Sequence, residues 1–111
     1  MPDFKKYKNI YFVGCGSASY TADIAKKIFE KYADIKCEVF LASEFRYQKQ
    51  FYDKKTLVIF ISQSGESADT LEALRITKSD GIDTLAIVNV VGSSIAREAG
   101  KVLYIKAGTE I

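Results

Sequence analysis

Six consecutive residues, Ser62-Gln63-Ser64-Gly65-Glu66-Ser67, place three hydroxyls, a carboxamide and a glycine directly after the apolar run Leu57-Val58-Ile59-Phe60-Ile61. Hydroxyls and backbone N–H groups are the neutral donors that wrap phosphate oxygens, and Gly65 lets the backbone turn sharply or approach a ligand closely. A second segment has the same build. Asn9-Ile10-Tyr11-Phe12-Val13 runs into Gly14-Cys15-Gly16-Ser17-Ala18-Ser19. Each loop opens an amphipathic helix, whose first N–H groups are unpaired and carry the positive end of the helix dipole. Two such loops side by side make an anion site for a phosphorylated small molecule. The plainer account is that Ser64 or Ser67 caps the helix that follows. One capping serine explains one residue, not the cluster, so anion binding is the expectation for Ser62–Ser67.

Other chemistry finds less support. Gly14-Cys15-Gly16-Ser17-Ala18-Ser19 approaches the dinucleotide fingerprint G-x-G-x-x-G, but Ser19 stands at the third glycine. The acid expected at the end of the next strand is replaced by Leu41-Ala42. A nicotinamide-binding Rossmann domain therefore stays a minor alternative, and the bland account is a tight strand-to-helix turn. Cys15 as a nucleophile lacks a base and reads better as packing at a strand end. Glu66 and Asp69 could form an acid/base pair at i, i+3, but read better as complements of a helix dipole. The chain has no histidine, which removes Ser-His-Asp and Cys-His catalysis and His-based zinc sites. Neither a metal nor a cofactor is expected.

The elements that must position the loops follow from periodicity. Apolar runs predict strands at Asn9–Val13, Cys37–Leu41, Thr56–Ile61, Thr84–Asn89 and Val102–Ile105. Tyr20, Ile24, Ile28 and Tyr32, with Ala25 and Phe29 beside them, predict a helix from Ser19 to Lys31 with one apolar stripe. Ser43 is a good N-cap for a short helix, Ser67 to Lys78 predicts another with Gly81 as its stop, and Ser93 and Ser94 cap a last one through Glu98. Strictly alternating strands and helices predict an α/β fold, a doubly wound, five-stranded parallel sheet. In the common order 2-1-3-4-5, the two Ser/Gly loops meet at the switch point where such sheets bind ligands.

Composition sets the outer limits. The chain is 111 residues long, 48% apolar and 27% charged, enough for one domain with a core. A net charge of +2 with interspersed signs argues against nucleic acid. No apolar run approaches the ~20 residues of a membrane span, and nothing resembles a secretory signal, so no membrane association is expected. Two cysteines, Cys15 and Cys37, read as reduced thiols of a cytoplasmic protein.

The stretch Ser62 to Thr70 resembles the signature of the sugar isomerase (SIS) domain, a flavodoxin-like three-layer sandwich. Cys15-Gly16-Ser17, Ala42-Ser43-Glu44-Phe45-Arg46-Tyr47, Asn89-Val90-Val91-Gly92-Ser93-Ser94 and Ala107-Gly108-Thr109-Glu110-Ile111 resemble more narrowly the isomerase half of glutamine–fructose-6-phosphate aminotransferases, also called glucosamine-6-phosphate synthases. The resemblance runs through nearly the whole chain in order. It implies that Ser62, Gln63 and Ser64 bind phosphate, with Gly65 in their loop. Ser67 stands for a family Thr that also binds phosphate. Ser17, beside Gly16, stands for a Thr that touches the sugar phosphate, and Ala18 falls where some members have Ser.

In the family's reaction, ammonia from glutamine aminates fructose-6-phosphate, and an aldose–ketose proton transfer gives glucosamine-6-phosphate. The family continues past Glu110-Ile111 into a helix and a second SIS domain. Its base Glu, catalytic Lys and ring-opening His come from parts that this chain lacks. The expectation is therefore one SIS domain over residues 1–111, incomplete at its C-terminal end, with no catalytic residue of its own and a role in binding. With neutral donors alone, micromolar to millimolar affinity is expected, about −8 to −4 kcal/mol. The resemblance also implies pairing as a homodimer or other self-association, with a phosphorylated hexose or amino sugar as ligand. The alternative in another class is the non-catalytic sugar-phosphate-sensing SIS module of a regulator.

Overall fold

The computed structural model describes residues 4–63, 67–88 and 93–104, with the side chains of Ser17, Ser19, Leu103 and Tyr104 outside the description. A 3-10 turn at Phe4–Lys6 leads into β1 (Asn9–Gly14), α1 (Ser17–Tyr32), β2 (Lys36–Leu41), α2 (Ala42–Phe45) and β3 (Thr56–Ser62). Then come α3 (Ala68–Ser79), β4 (Asp83–Val88), α4 (Ser94–Glu98) and β5 (Lys101–Tyr104). The strands form one sheet in the order β2-β1-β3-β4-β5, every described pairing parallel, as the alternation predicted. Strands buried on both faces need continuous apolar runs rather than alternation. β3 is accordingly buried along its whole length, whereas the edge strand β2 is exposed at Lys36, Glu38 and Leu41.

Helices cover the sheet on both faces. On one, α1 sets Ala18 and Ala22 against Ile10, Phe12, Ile59 and Ile61, with Phe29 packed alongside. On the other, α2, α3 and α4 bring Ala42, Phe45, Ala73, Leu74 and Ile95 onto Val13, Val58, Phe60 and Val88. Small alanines on α1 let its backbone lie close to the sheet, and larger side chains fill the other layer.

The helices correct the sequence reading in three places. α1 begins at Ser17, two residues before the predicted start, with Gly16 as its N-cap. α2 begins at Ala42 with Leu41 in the cap position, so Ser43 lies inside the helix and does not cap it. The single apolar stripe of α1 divides in two. Its alanines and Phe29 face the sheet, whereas Tyr20, Ile24, Ile28 and Tyr32 are 71%, 48%, 52% and 76% exposed. Ser67 and Ser93 do cap α3 and α4, accepting from the N–H groups of Thr70 and Ala96. Gly81, with φ 76°, follows the end of α3 and donates its N–H to Lys78 O. No described helix is long and apolar enough to cross a membrane. Asn89 and Ile105, predicted as strand ends, lie outside the described residues.

Candidate functional site

The chain leaves β1 to build β2 on one side and returns to build β3 on the other. The carboxyl ends of β1 and β3 are therefore neighbours, with Gly14 opposite Ile61. A Cβ on Gly14 would stand 3.1 Å from Ala18 Cβ and 3.1 Å from the Ile61 carbonyl oxygen. A residue without one lets α1 start this close to the strand ends with no crowding. Gly16 answers a different demand. Nothing crowds its Cβ position, but its φ of 59° and ψ of −132° are backbone values that L side chains rarely adopt. Ser17 is the first residue of α1.

From the neighbouring strand, Ser62 closes β3 and is buried, and Gln63 follows it into solvent. Ser64 and Gly65, both expected in the phosphate loop, lie outside the described residues. Ser67 resumes the chain at the N-cap of α3, and its Oγ accepts from Thr70 N at 3.4 Å. The capping account of Ser67 is therefore correct, and capping leaves its hydroxyl a second bond to make.

That second bond crosses between the two loops. Cys15 Sγ and Ser67 Oγ share a hydrogen bond of 3.0 Å, and Thr70 Oγ1 lies 3.7 Å from the same sulfur. Cys15 is half-buried and free, so it joins the loops rather than merely filling space. Sequence reasoning assigned it packing alone. The available signal was topological: Cys15 and Ser67 each follow a strand end, and the two strands are paired.

Arg46 takes its role from the fold. Its Nη1 donates to Asp69 Oδ1 at 2.7 Å, which ties the end of α2 to the first turn of α3. This bond to Asp69 raises the guanidinium pKa, against the smaller opposing effect of desolvation. Arg46 also lies over the Tyr47 ring, 4.9 Å from its centroid. Phe45, beside it in sequence, is buried against Phe40 and Phe60. The Ser43–Tyr47 stretch thus anchors α2 through Phe45 and steadies the start of α3 through Arg46. Asp69 serves as an ion-pair partner and dipole complement, while Glu66 lies outside the described residues.

Cys37, the other free thiol, is buried on the α1 face and donates to Ile35 O at 3.3 Å. Burial, with Glu30 nearby, pushes its thiol up to about 11. Two cavities lie at the opposite end of the sheet from the Ser/Gly loops. One of about 390 Å³ is lined by Lys6, Tyr7, Lys78, Asp83 and Lys101 among others. The second, of about 500 Å³, lies between Gln48–Tyr52 and the end of α3. The Asn89–Gly92 and Ala107–Ile111 stretches that carried part of the resemblance lie outside the described residues.

The chain is 53% identical over 107 residues to the glutamine–fructose-6-phosphate aminotransferase (isomerizing) of Clostridium tetani, covering 96% of this chain and 18% of that protein. It is 53% identical over 104 residues to the enzyme of the same name from Methanothermobacter thermautotrophicus, covering 94% and 18%. The chain thus spans about a fifth of the length of these curated relatives. Among solved structures, the C-terminal domain of glucosamine-fructose-6-phosphate aminotransferase from Francisella tularensis superposes with a TM-score of 0.89 at 43% identity, over 97% of this chain and 31% of that one. The family model described as the SIS domain matches residues 3–111. On the fold, the parallel order 2-1-3-4-5 and this match over nearly its whole length, the chain belongs to the SIS domain family.

Proposed function

We propose that the chain binds a phosphorylated hexose or amino sugar, fructose-6-phosphate or glucosamine-6-phosphate, at the carboxyl ends of β1 and β3. On this reading it is one SIS unit of the isomerase half of a glutamine-dependent fructose-6-phosphate aminotransferase. The observation that carries the reading is the Cys15–Ser67 contact of 3.0 Å, which joins the two loops across the switch point. Identities of about one half to aminotransferases of that name favour this reading over a sensor module.

The proposed grip uses neutral donors. Ser62, Gln63 and Ser64, with Gly65 allowing close approach, surround the phosphate together with the Ser67 hydroxyl. Gly16 and Ser17 hold it from the β1 side, where the first N–H groups of α1 add their dipole. Arg46 is engaged by Asp69 and shapes the start of α3 instead of meeting the phosphate directly. Isomerisation also requires a base against the sugar's C–H bond and an acid or base at its ring oxygen. No histidine of this chain can open the ring, since it has none.

The test is calorimetric titration with glucosamine-6-phosphate, unphosphorylated glucosamine and inorganic phosphate. The reading expects micromolar to millimolar binding of the phosphosugar, about −8 to −4 kcal/mol, and none of glucosamine. Equal binding of sugar with and without phosphate would overturn it. A shift in melting temperature with NAD or NADP would instead support the dinucleotide alternative.

A further inference from the structure

The hydrogen bonds around Ser67 Oγ decide where its proton can go. A serine hydroxyl has one proton to give and two lone pairs to fill. Thr70 N fills one lone pair from 3.4 Å. Cys15 Sγ lies at 3.0 Å and can stand on either side of that bond, as donor of its S–H or as acceptor of the Ser67 proton. The same sulfur has Thr70 Oγ1 at 3.7 Å. Thr70 is fully buried, so its hydroxyl serves the interior and reaches no ligand. Cys15 is half-buried and packs against the core that α2, α3 and α4 build on the sheet.

We infer, resting on the proposed phosphosugar site, that Cys15 is a positioning residue whose thiol turns the Ser67 hydroxyl proton toward the phosphate. When the thiol donates, both lone pairs of Ser67 Oγ are filled, one by Thr70 N and one by Cys15. The hydroxyl proton is then left for a third partner. A phosphate oxygen is the preferred one, since a hydrogen bond to a charged group is roughly twice as strong as a neutral one. Sulfur is a weak acceptor, so Ser67 gives up little in turning away from it. Thr70 Oγ1 can donate to the sulfur in turn. The result is a chain of donors, Thr70 to Cys15 to Ser67 to phosphate, in which each bond polarises the next. A carboxylate at position 15 would keep the Ser67 proton for itself, and an aliphatic side chain would leave it undirected. A thiol can accept from the hydroxyl of an empty site and donate to that of an occupied one. No covalent bond changes; only hydrogen bonds reverse.

NMR titration of the whole chain with glucosamine-6-phosphate tests this through a double-mutant cycle of Cys15→Ala and Ser67→Ala. Cys15→Ala is expected to weaken binding about three- to tenfold, the worth of one hydrogen bond. Cys15→Ser, which can also donate and accept, is expected to recover most of that loss. In a Ser67→Ala background, Cys15→Ala is expected to change affinity no further, because the thiol acts through that hydroxyl. Infrared spectroscopy gives a second readout. In Cys37→Ala the Cys15 S–H stretch stands alone, and in the ligand-bound chain it is expected at the low frequency of a donating thiol. Wild-type affinity in Cys15→Ala, or an equal loss with and without the Ser67 hydroxyl, overturns the role of Cys15 and leaves the phosphosugar site standing. A free-thiol S–H frequency in the bound chain overturns that role too. A wild type that binds no phosphosugar overturns the site itself, and the role of Cys15 with it.

Discussion

Ser67 carries two structural bonds before any ligand is considered, one to the Thr70 N–H and one to Cys15 Sγ. Ser67→Ala removes both, and on the proposed function it also removes a phosphate donor. It is expected to lower stability by about 1 kcal/mol, the usual cost of a lost cap, and to weaken phosphosugar binding about tenfold. Chemical denaturation and calorimetry on the same sample separate the two effects. Gly14→Ala acts through space. A methyl group at 3.1 Å from both Ala18 Cβ and a β3 carbonyl makes α1 and the strand end give by a few tenths of an ångström, and a loss of about 1–3 kcal/mol is expected in denaturant titration. Cys37 gives a pH signature. Its thiol is raised from 9.0 in the unfolded chain to about 11 in the fold, chiefly by burial. Below pH 9 both states keep the proton and stability is unaffected. Between pH 9 and about 11 the unfolded chain loses the proton first, so folding stability falls as pH rises. Cys37→Ala is expected to flatten the melting-temperature profile in that window; an unchanged slope would assign the alkaline loss to Tyr7 and Tyr52, whose phenols are also raised.

The elements show why some positions were legible and others were not. Strand runs are readable because a parallel strand buried on both faces must be apolar throughout, and β1, β3 and β4 were placed to within a residue or two wherever they are described. Helix starts are set by tertiary demands. Gly16 with its positive φ turns the chain early enough for α1 to begin at Ser17, and the return from β2 commits Ala42 to α2 before Ser43 can cap it. The α1 stripe shows a further limit, because period alone cannot say which of two apolar faces meets the sheet. Small residues decided it, since Ala18 and Ala22 permit closer packing than Tyr20 or Ile24. Arg46 and Asp69 lie 23 residues apart, and only the docking of α2 beside α3 joins them. α2 itself hangs on Phe45, which meets Phe40, Tyr52 and Phe60. Phe45→Ala is expected to cost about 3–5 kcal/mol and to release the Arg46–Asp69 pair, read as loss of near-UV ellipticity together with a lower denaturation midpoint.

At the scale of the molecule, connectivity makes the candidate site. Seven residues were expected at the phosphate, and the described ones, Gly16, Ser17, Ser62, Gln63 and Ser67, all lie at the carboxyl end of the sheet because β1 and β3 are adjacent there. That end was legible from the alternation of strands and helices; the thiol bridge across it was not, since it depends on how far α3 leans toward the β1 loop. The walled cavities at the other end, one of them ringed by Lys6, Lys78 and Lys101, offer a competing place for an anion. An NMR titration with glucosamine-6-phosphate, with inorganic phosphate and glucosamine alongside, decides between the two ends of the sheet. Amide shifts concentrated at Gly16, Gln63, Ser67 and Thr70 are expected, far larger for the phosphosugar than for either control. Shifts centred on Lys6, Lys78 and Lys101, or none at all in a folded sample, would contradict it.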